Sequence, residues 1–293
     1  MRAGVSSYSF SRYLSGGTMD IFEVIETAAE MGFAGIEFTD FGPKEVSNDQ
    51  TEAAGRVKEC CSKSGIAVMS YTIGADFLNP RNGGDWKNEV ERLKGELRIA
   101  KALGAPLMRH DVTTGISKDH THLADFIDAL PVLSQGCRMV TEYAAELGIK
   151  TMFENHGYFI QDSERCALLL DKIDHPNMGA LVDIGNFLCA DDDPLRAVTL
   201  MAPRAFHVHA KDFHIKPASS AEPGAGWFRS RGGNLLRGAI VGHGNVDVTA
   251  CLKALKSAGY DGFVSLEFEG MEDNKQALTI GLENLKNYIE QIG

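Results

Sequence analysis

Short apolar runs alternate along the chain with longer segments that mix apolar and charged residues. Apolar runs of this length, bounded by turn residues, are typical of the buried strands of a parallel sheet. The longer segments between them have the length of helices, so the pattern predicts repeated strand–helix units. The eight strands are expected near residues 3–8, 34–38, 66–72, 106–110, 149–154, 179–183, 205–210 and 262–268.

Helical periodicity is clearest in residues 86–103, where apolar side chains recur at intervals of three and four and Lys and Glu fill the other face. The same pattern in residues 248–258 begins after Asp247, a plausible helix cap. The last stretch, 272–292, predicts a terminal helix. A glycine marks the junction between helix and next strand, because a left-handed helix end favours a residue without Cβ: this occurs at Gly32, Gly65, Gly104, Gly148 and Gly259.

Eight regular units favour a closed (β/α)₈ barrel of one domain spanning residues 1–293. The competing fold is an open, doubly wound sheet. Its best sequence signal, G-x-G-x-x-G after the first strand, is missing. Residues 213–245 form the longest irregular stretch, rich in Gly, Pro, Ser and Arg, and we expect a loop over the C-terminal mouth there.

Composition and net charge restrict the classes of molecule that the chain is expected to bind. Apolar residues make up 44% and charged residues 24% of 293 residues, and the net charge is −11. This charge disfavours nucleic acid and anionic membranes as partners. No apolar run reaches the length of a membrane span, and the six cysteines are scattered. A cytoplasmic enzyme with reduced thiols is therefore expected, and whether it forms a homo-oligomer stays open.

Ionisable residues interrupt the apolar runs near the C-terminal ends of the last four predicted strands. They are Glu154, Asp183, His209 and Glu267. In a barrel these ends share one mouth, where active sites of this fold lie. Three buried carboxylates that converge need a cation. One divalent metal ion is expected, with Mn²⁺ preferred and Mg²⁺, Co²⁺ or Zn²⁺ as alternatives.

Two histidines compete for the ligand position on the seventh strand. Alternation places His207 and His209 on the same face of the strand, so either ring qualifies. We prefer His209 because it lies nearer the C-terminal end, level with the other three ligands.

Several segments resemble the xylose-isomerase-like barrel superfamily of sugar isomerases and epimerases. They are the His-Ala-Lys-Asp segment at 209–212, Gly-His-Gly-Asn-Val-Asp at 242–247, Gly-Tyr-Asp-Gly at 259–262 and Gly-Ile-Glu-Phe at 35–38. The resemblance spans nearly the whole chain and implies the barrel fold and the metal site. It is loose for the substrate, since members include ketose epimerases, aldose–ketose isomerases, inosose dehydratases and AP endonucleases.

The resemblance also implies roles for the four ligands. The glutamates on strands five and eight, here Glu154 and Glu267, would both bind metal and transfer protons, whereas Asp183 and His209 would only bind metal. One departure concerns the segment after strand six, where Asn186 stands in place of the histidine found in several ketose epimerases and in the nucleases. This departure and the negative charge make DNA repair a minor alternative.

Further side chains are candidates for contact with the substrate. Tyr71, Trp227 and Phe228 are considered as an apolar wall for a sugar ring, although core packing is the commoner role of aromatic residues. Basic residues of the long loop would bind a phosphate or form a subunit contact; they are Lys216, Arg229, Arg231 and Arg237. The substrate contacts expected are His110, His156, Asn186, Lys211, Asp212 and His243, with Arg109 near the same rim.

The function expected from this sequence is metal-dependent isomerisation or epimerisation of a sugar or keto-sugar. A base would remove a proton next to a carbonyl, and the metal would stabilise the enediolate. The first alternative is a lyase or dehydratase acting on a keto-polyol or keto-glycoside. The second is a sugar-binding barrel that has lost turnover.

Overall fold

A computed structural model describes residues 1–39, 41, 49–81, 83–118 and 123–293. Parallel strands β1–β7 and β11 close into a barrel in the order β1-β11-β7-β6-β5-β4-β3-β2, and β8, β10 and β9 form a separate small sheet. The strands are β1 (Arg2–Ser6), β2 (Gly35–Phe38), β3 (Ala67–Ile73), β4 (Leu107–His110), β5 (Lys150–Glu154), β6 (Met178–Asp183), β7 (Ala205–Ala210), β8 (Asp212–Lys216), β9 (Phe228–Arg229), β10 (Leu235–Ala239) and β11 (Phe263–Leu266).

Helices follow the barrel strands and pack around them. Most begin at an aspartate that accepts hydrogen bonds from the first free backbone N–H groups, as at Asp20, whose partner Glu23 completes a capping box. The described helices are α1 (Ser11–Ser15), α2 (Ile21–Met31), α3 (Gln50–Ser64), α4 (Trp86–Leu103), α5 (Phe126–Glu146), α6 (Ser163–Ile173), α7 (Pro194–Met201), α8 (Val248–Ser257) and α9 (Asn274–Gln291), with 3₁₀ turns at Ser7–Phe10, Asn186–Ala190 and Ala202–Arg204.

The predicted barrel is confirmed, and the open sheet is excluded by the pairing of β1 with both β2 and β11. Each of the eight predicted strands overlaps one barrel strand. The predicted helix at 86–103 coincides with α4, and the junction glycines have positive φ, for example 86° at Gly32 and 77° at Gly104. Among the described helices, none has the length and apolarity to cross a membrane.

The expectation of an irregular loop over 213–245 is wrong for residues 213–216, 228–229 and 235–239, which are strands. β8 and β10 pair antiparallel, with Leu236 opposite Ile215, and β9 pairs with the other edge of β10. One face of this small sheet is apolar and packs Phe213 and Leu236 on Cys189. The alternation of apolar and polar residues in 212–216 is typical of a strand, but the surrounding Gly, Pro and Ser favoured a loop.

Loops from the C-terminal side of the barrel hold the small sheet in place. The Asp191 carboxylate, after β6, accepts from Ser230 Oγ at 2.6 Å and from Asn234 Nδ2 at 2.8 Å. Arg231 donates to Asp162 Oδ2 at 2.8 Å, in the loop after β5. The small sheet therefore lies beside the C-terminal ends of β5 and β6.

Candidate metal centre

The four strand-end residues lie together at the C-terminal mouth. Glu154 and Asp183 end their strands, His209 is the penultimate residue of β7, and Glu267 follows β11. Their ligand atoms all lie within 4.8 Å of one another. His209 Nδ1 is 3.4 Å from Glu267 Oε2, 3.6 Å from Asp183 Oδ2 and 3.9 Å from Glu154 Oε1. All four side chains are buried.

The cluster has buried oxygen and nitrogen atoms that are available to bind a divalent cation. Asp183 Oδ1 accepts from the backbone N–H groups of Gly185 and Asn186, both at 2.9 Å. Its other oxygen, Oδ2, and His209 Nδ1 make no hydrogen bond in the described part of the chain, although the Lys211 ammonium lies 3.3 Å from Oδ2. Buried atoms with unused lone pairs cost free energy unless they bind a proton donor or a cation. An oxygen-rich donor set with one imidazole could hold a divalent metal ion.

A fourth acidic residue lies next to the centre, inside the barrel. Glu37 on β2 reaches the Nε2 atoms of both strand-seven histidines, His209 at 2.6 Å and His207 at 2.9 Å. Burial would raise the pKa of Glu37, but the two imidazoles outweigh it and hold the pKa below its usual range. Sequence reasoning used Glu37 only as part of a family motif, although a carboxylate inside a fully buried strand is a signal in itself.

Two buried cations accompany the two glutamates. Arg109 contacts Glu154 Oε2 at 2.7 Å, and Lys211 Nζ contacts Glu267 Oε2 at 2.5 Å and Asp183 Oδ2 at 3.3 Å. Burial alone would lower the pKa of Lys211, but the neighbouring carboxylates raise it well above its usual value, so the ammonium stays charged. Each glutamate is thus oriented by its own cation.

Amide side chains complete the hydrogen bonding between the strand ends. Asn186 donates to Glu154 Oε1 at 2.9 Å and accepts from Lys211 Nζ at 3.2 Å. Asn155, which sequence reasoning missed, exchanges two 2.9 Å hydrogen bonds with the backbone of Asp183. The ends of β5 and β6 are therefore locked together at the cluster.

Comparison with known proteins identifies the family. A family model described as xylose isomerase-like TIM barrel matches residues 25–288. The chain belongs to this family.

Relatives within and near the family include different kinds of enzyme. The rhizopine catabolism protein MocC of Rhizobium meliloti is 29% identical over 285 residues, which are 92% of this chain and 82% of that protein. An inosose dehydratase of Geobacillus thermodenitrificans is 24% identical over 264 residues, 87% and 84% of the two chains. The structure of an L-ribulose 3-epimerase has a TM-score of 0.73 at 16% identity, covering 99% of this chain and 95% of that one. Dehydratases and epimerases therefore share this barrel.

The two predicted substrate contacts at the ends of β4 and β5 have different surroundings: His110 packs edge-on against Phe77, and His156 lies beside Asp111. His110 is buried, and burial lowers its pKa to about 4, so its ring is neutral. His156 lies at the rim with 51% of its side chain exposed, and its Nδ1 is 3.3 Å from Asp111 Oδ1. The contact with Asp111 raises the pKa of His156. Asp111 also binds Arg109 at 2.8 Å, which links the rim to Glu154.

Two other predicted contacts are not brought to the cluster. The Asp212 carboxylate accepts four backbone N–H groups, from Phe213, Gly242, Gly244 and Val246, at 2.8 to 3.0 Å. It holds the turn after β10, which is a structural role. His243 lies exposed on that same turn.

The residues considered for an aromatic wall, and the basic residues of 213–245, also make contacts away from the cluster. Tyr71 donates to Glu96 on α4, so it points from the barrel towards the helices. Phe228 packs against Phe213 inside the small sheet, whereas Trp227 lies beside Lys216 and Arg237. The basic side chains of this segment have partners within the chain: Arg231 binds Asp162, Arg229 binds Glu222, and Arg237 NH2 lies 4.0 Å from Glu272.

Tyr8, directly after β1, is a mouth residue that sequence reasoning missed. Partial burial and the charges of Glu269, Glu267 and Glu154 raise the pKa of its hydroxyl, so Tyr8 lies on the same side as the cluster. Its side chain is 40% exposed. Its position directly after the first predicted strand could have identified Tyr8 as a mouth residue from the sequence.

Proposed function

We propose that the chain is a divalent-metal-dependent isomerase or epimerase of a sugar or keto-sugar. The observation that carries this proposal is the placement of two buried glutamates around His209 Nδ1, each held by its own cation. Glu154 comes from β5 and Glu267 follows β11, and β6 and β7 lie between these strands in the barrel. The two carboxylates therefore approach a bound substrate from different directions.

The residues proposed to hold the metal are Glu154, Asp183, His209 and Glu267, with Mn²⁺ as the preferred ion. When bound, the cation would withdraw charge from two neighbouring substrate oxygens and make the adjacent C–H bond more acidic.

The proton transfers are assigned to Glu154 and Glu267. One carboxylate removes the proton next to the carbonyl, and the other returns a proton to the same or the neighbouring carbon. Arg109 and Lys211 fix the positions of these carboxylates, and burial excludes water from the carbon that carries the negative charge.

The substrate contacts proposed are the polar groups nearest the carboxylates. Asn186 and Lys211 lie between Glu154 and Glu267 and present donors to sugar hydroxyls. His156 is at the rim, and His110 has a buried Nε2 atom without a partner in the described chain. Asp212 and His243 are left out, because the first is occupied by the turn after β10 and the second lies exposed on it.

The second candidate is a dehydratase of a keto-polyol. It is favoured by the similarity to an inosose dehydratase over 87% of this chain. The first proton abstraction would be the same, and the C–O bond at the β-carbon would then break, with the electron pair leaving as hydroxide that takes up a proton to form water. His156, paired with Asp111 at the rim, is the group placed to give that proton.

One experiment separates the two candidates. The Mn²⁺-loaded protein is incubated in D₂O with a panel of keto-sugars and keto-inositols, and the products are followed by NMR and mass spectrometry. Deuterium incorporation with retention of all oxygens supports the isomerase or epimerase, and loss of one water supports the dehydratase. The Glu154→Gln/Glu267→Gln double variant is the control. No exchange and no bound metal in the wild-type protein would refute both.

A further inference from the structure

The turn after β5 contains a backbone conformation that its sequence does not favour. Gly157 and Tyr158 both have positive φ, 81° and 64°. Glycine adopts this conformation freely, but a bulky aromatic residue is strained there and persists only where its surroundings hold it. The turn is closed by a backbone hydrogen bond from His156 N to Ile160 O at 3.1 Å. Its conformation therefore depends on contacts from outside the turn.

Hydrogen bonds at the N–H, the carbonyl and the hydroxyl of Tyr158 supply these contacts. The carbonyl accepts from the Arg231 guanidinium, and the hydroxyl donates to the Arg229 carbonyl at 2.8 Å. Both of these bonds attach the turn to the small sheet. The N–H donates to Oε1 of Gln161 at 2.5 Å. This third bond leads away from the small sheet and into the protein, because the Gln161 side chain is buried.

Gln161 connects the turn after β5 with the turn after β6. Its Oε1 accepts from Tyr158, and its Nε2 donates to the backbone carbonyl of Asn186 at 2.8 Å. The amide also lies against the sulfur of Cys189, beneath the small sheet. Since one partner is a donor and the other an acceptor, the amide has a single orientation that satisfies both. Gln161 therefore fixes the separation of the two turns.

Asn186 is the residue through which this contact reaches the candidate metal centre. Its side chain donates to Glu154 Oε1 at 2.9 Å and accepts from Lys211 Nζ at 3.2 Å. Its backbone N–H donates to Asp183 Oδ1 at 2.9 Å, and its carbonyl accepts from Gln161. The backbone of Asn186 is thus held on both sides, so its side-chain amide stays between the carboxylate and the ammonium.

We propose that Gln161 is a positioning residue, which fixes Asn186 and, through Asn186, the carboxylate of Glu154. The inference rests on the proposed function, in which Glu154 transfers a proton. Without Gln161 the backbone of Asn186 loses one of these two attachments, and its side chain can move away from Glu154. A displacement of about 1 Å at a reacting group can lower the rate by about 100-fold.

The side-chain amides themselves can be observed by NMR. In ¹⁵N-labelled wild-type protein with Mg²⁺, which is diamagnetic, the NH₂ groups of Gln161 and Asn186 are compared with that of Gln276, which is exposed on α9. We expect both to exchange with water at least about tenfold more slowly than Gln276, because both are buried and hydrogen-bonded. This readout needs neither a substrate nor a variant.

The variant that tests the positioning role is Gln161→Met, which keeps the length of the side chain and removes both hydrogen bonds. The Asn186 NH₂ group should then exchange about tenfold faster than in the wild type. Tyr158→Phe is the matched control. It removes the hydroxyl contact with Arg229 but leaves both bonds of Gln161, so the Asn186 exchange should stay as in the wild type. Thermal melting followed by circular dichroism checks that both variants are folded.

Turnover provides the second readout, on the keto-sugar that the wild-type protein converts. Gln161→Met should lower kcat by about 10- to 100-fold, and Tyr158→Phe should keep it within about twofold of wild type. Rapid exchange of the Gln161 NH₂ group in the wild type would overturn the proposal, and so would unchanged Asn186 exchange or unchanged kcat in Gln161→Met. Wild-type protein that converts no keto-sugar would instead refute the proposed function, while the amide exchange still tests the contact between Gln161 and Asn186.

Discussion

At the scale of single residues, the two glutamates of the cluster differ in their surroundings. Both oxygens of Glu154 receive a hydrogen bond or ion pair, from Asn186 and from Arg109. Glu267 is held through Oε2, which contacts Lys211 and lies 3.4 Å from His209 Nδ1. Substitutions that keep the size of these side chains therefore separate proton transfer from packing.

The first prediction concerns turnover. Glu154→Gln and Glu267→Gln should each lower kcat by about 10²- to 10⁴-fold, because an amide cannot accept the substrate proton. Metal content measured by elemental analysis should stay at half or more of the wild-type value in at least one variant, since three ligands remain. Glu164→Gln, an exposed position on α6, is the control and should keep wild-type kcat. Wild-type turnover in both cluster variants would contradict the assignment of the bases.

The second prediction concerns Asp212 and stability. Asp212→Ala leaves four backbone N–H groups at a partly buried turn without their acceptor, which should cost about 3 to 5 kcal/mol of unfolding free energy. Asp212→Asn keeps one acceptor oxygen and should lose about half as much. Urea denaturation of the EDTA-treated proteins measures both values. Equal stability of Asp212→Ala and wild type would show that the turn does not depend on this carboxylate.

At the scale of elements, the small sheet of β8, β9 and β10 is attached to the barrel at two places. One is its apolar face on Cys189, and the other is its turn at 230–234, which binds Asp191 and, through Arg231, Asp162. Asp191 has a positive φ of 58°, so it directs its carboxylate away from the 3₁₀ turn and towards Ser230 and Asn234. Asp191 therefore binds two side chains of the turn, and the ion pair of Arg231 with Asp162 adds to this attachment.

The third prediction follows from that attachment. Asp191→Gly keeps the left-handed backbone but removes the acceptor, so the amides of residues 230–234 should exchange about 10- to 100-fold faster, as expected from the loss of hydrogen bonds worth about 1.5 to 3 kcal/mol. Hydrogen–deuterium exchange measured by mass spectrometry checks this. Asp193→Ala removes a cap of α7 and is the matched control, which should leave 230–234 unchanged. Unchanged exchange in Asp191→Gly would mean that the apolar face and the Arg231–Asp162 ion pair hold the turn without Asp191.

At the scale of the whole molecule, the candidate metal centre brings together residues from half of the barrel strands. The side chains proposed to bind the ion come from β5, β6, β7 and the end of β11, which are neighbours in the closed sheet. Three carboxylates at this point repel one another, and Arg109 and Lys211 only partly offset that repulsion. A bound divalent cation should therefore stabilise the folded chain.

The fourth prediction is a thermal shift on metal removal. At a free Mn²⁺ concentration of 100 times its dissociation constant, binding to the folded state alone contributes about 2.7 kcal/mol. For a domain of this size, the melting temperature should fall by roughly 5 °C when EDTA removes the ion. Asp183→Asn, which removes a ligand oxygen, should melt at the same temperature with and without Mn²⁺. A Mn²⁺-induced shift in that variant equal to the wild-type shift would place the ion elsewhere.

Local patterns in the sequence were enough to predict the barrel and the neighbourhood of its candidate site. Apolar runs and helical periodicity depend on burial over a few residues, and all parallel strands end at the same mouth. Glu154, Asp183, His209 and Glu267 could therefore be grouped without coordinates. Their roles in binding and catalysis stay predictions.

Contacts between distant segments were decided only by the tertiary structure. Glu37 meets His209 across the barrel, and Asp212 binds a turn some thirty residues later, at Gly242, Gly244 and Val246. A register shift between β2 and β3 occurs at the level of Phe38 and Tyr71, and the Tyr71 hydroxyl meets Glu96 on α4. Periodicity predicts which residues are buried. The partner of a buried polar group depends on barrel closure and strand register, and a local sequence pattern predicts neither.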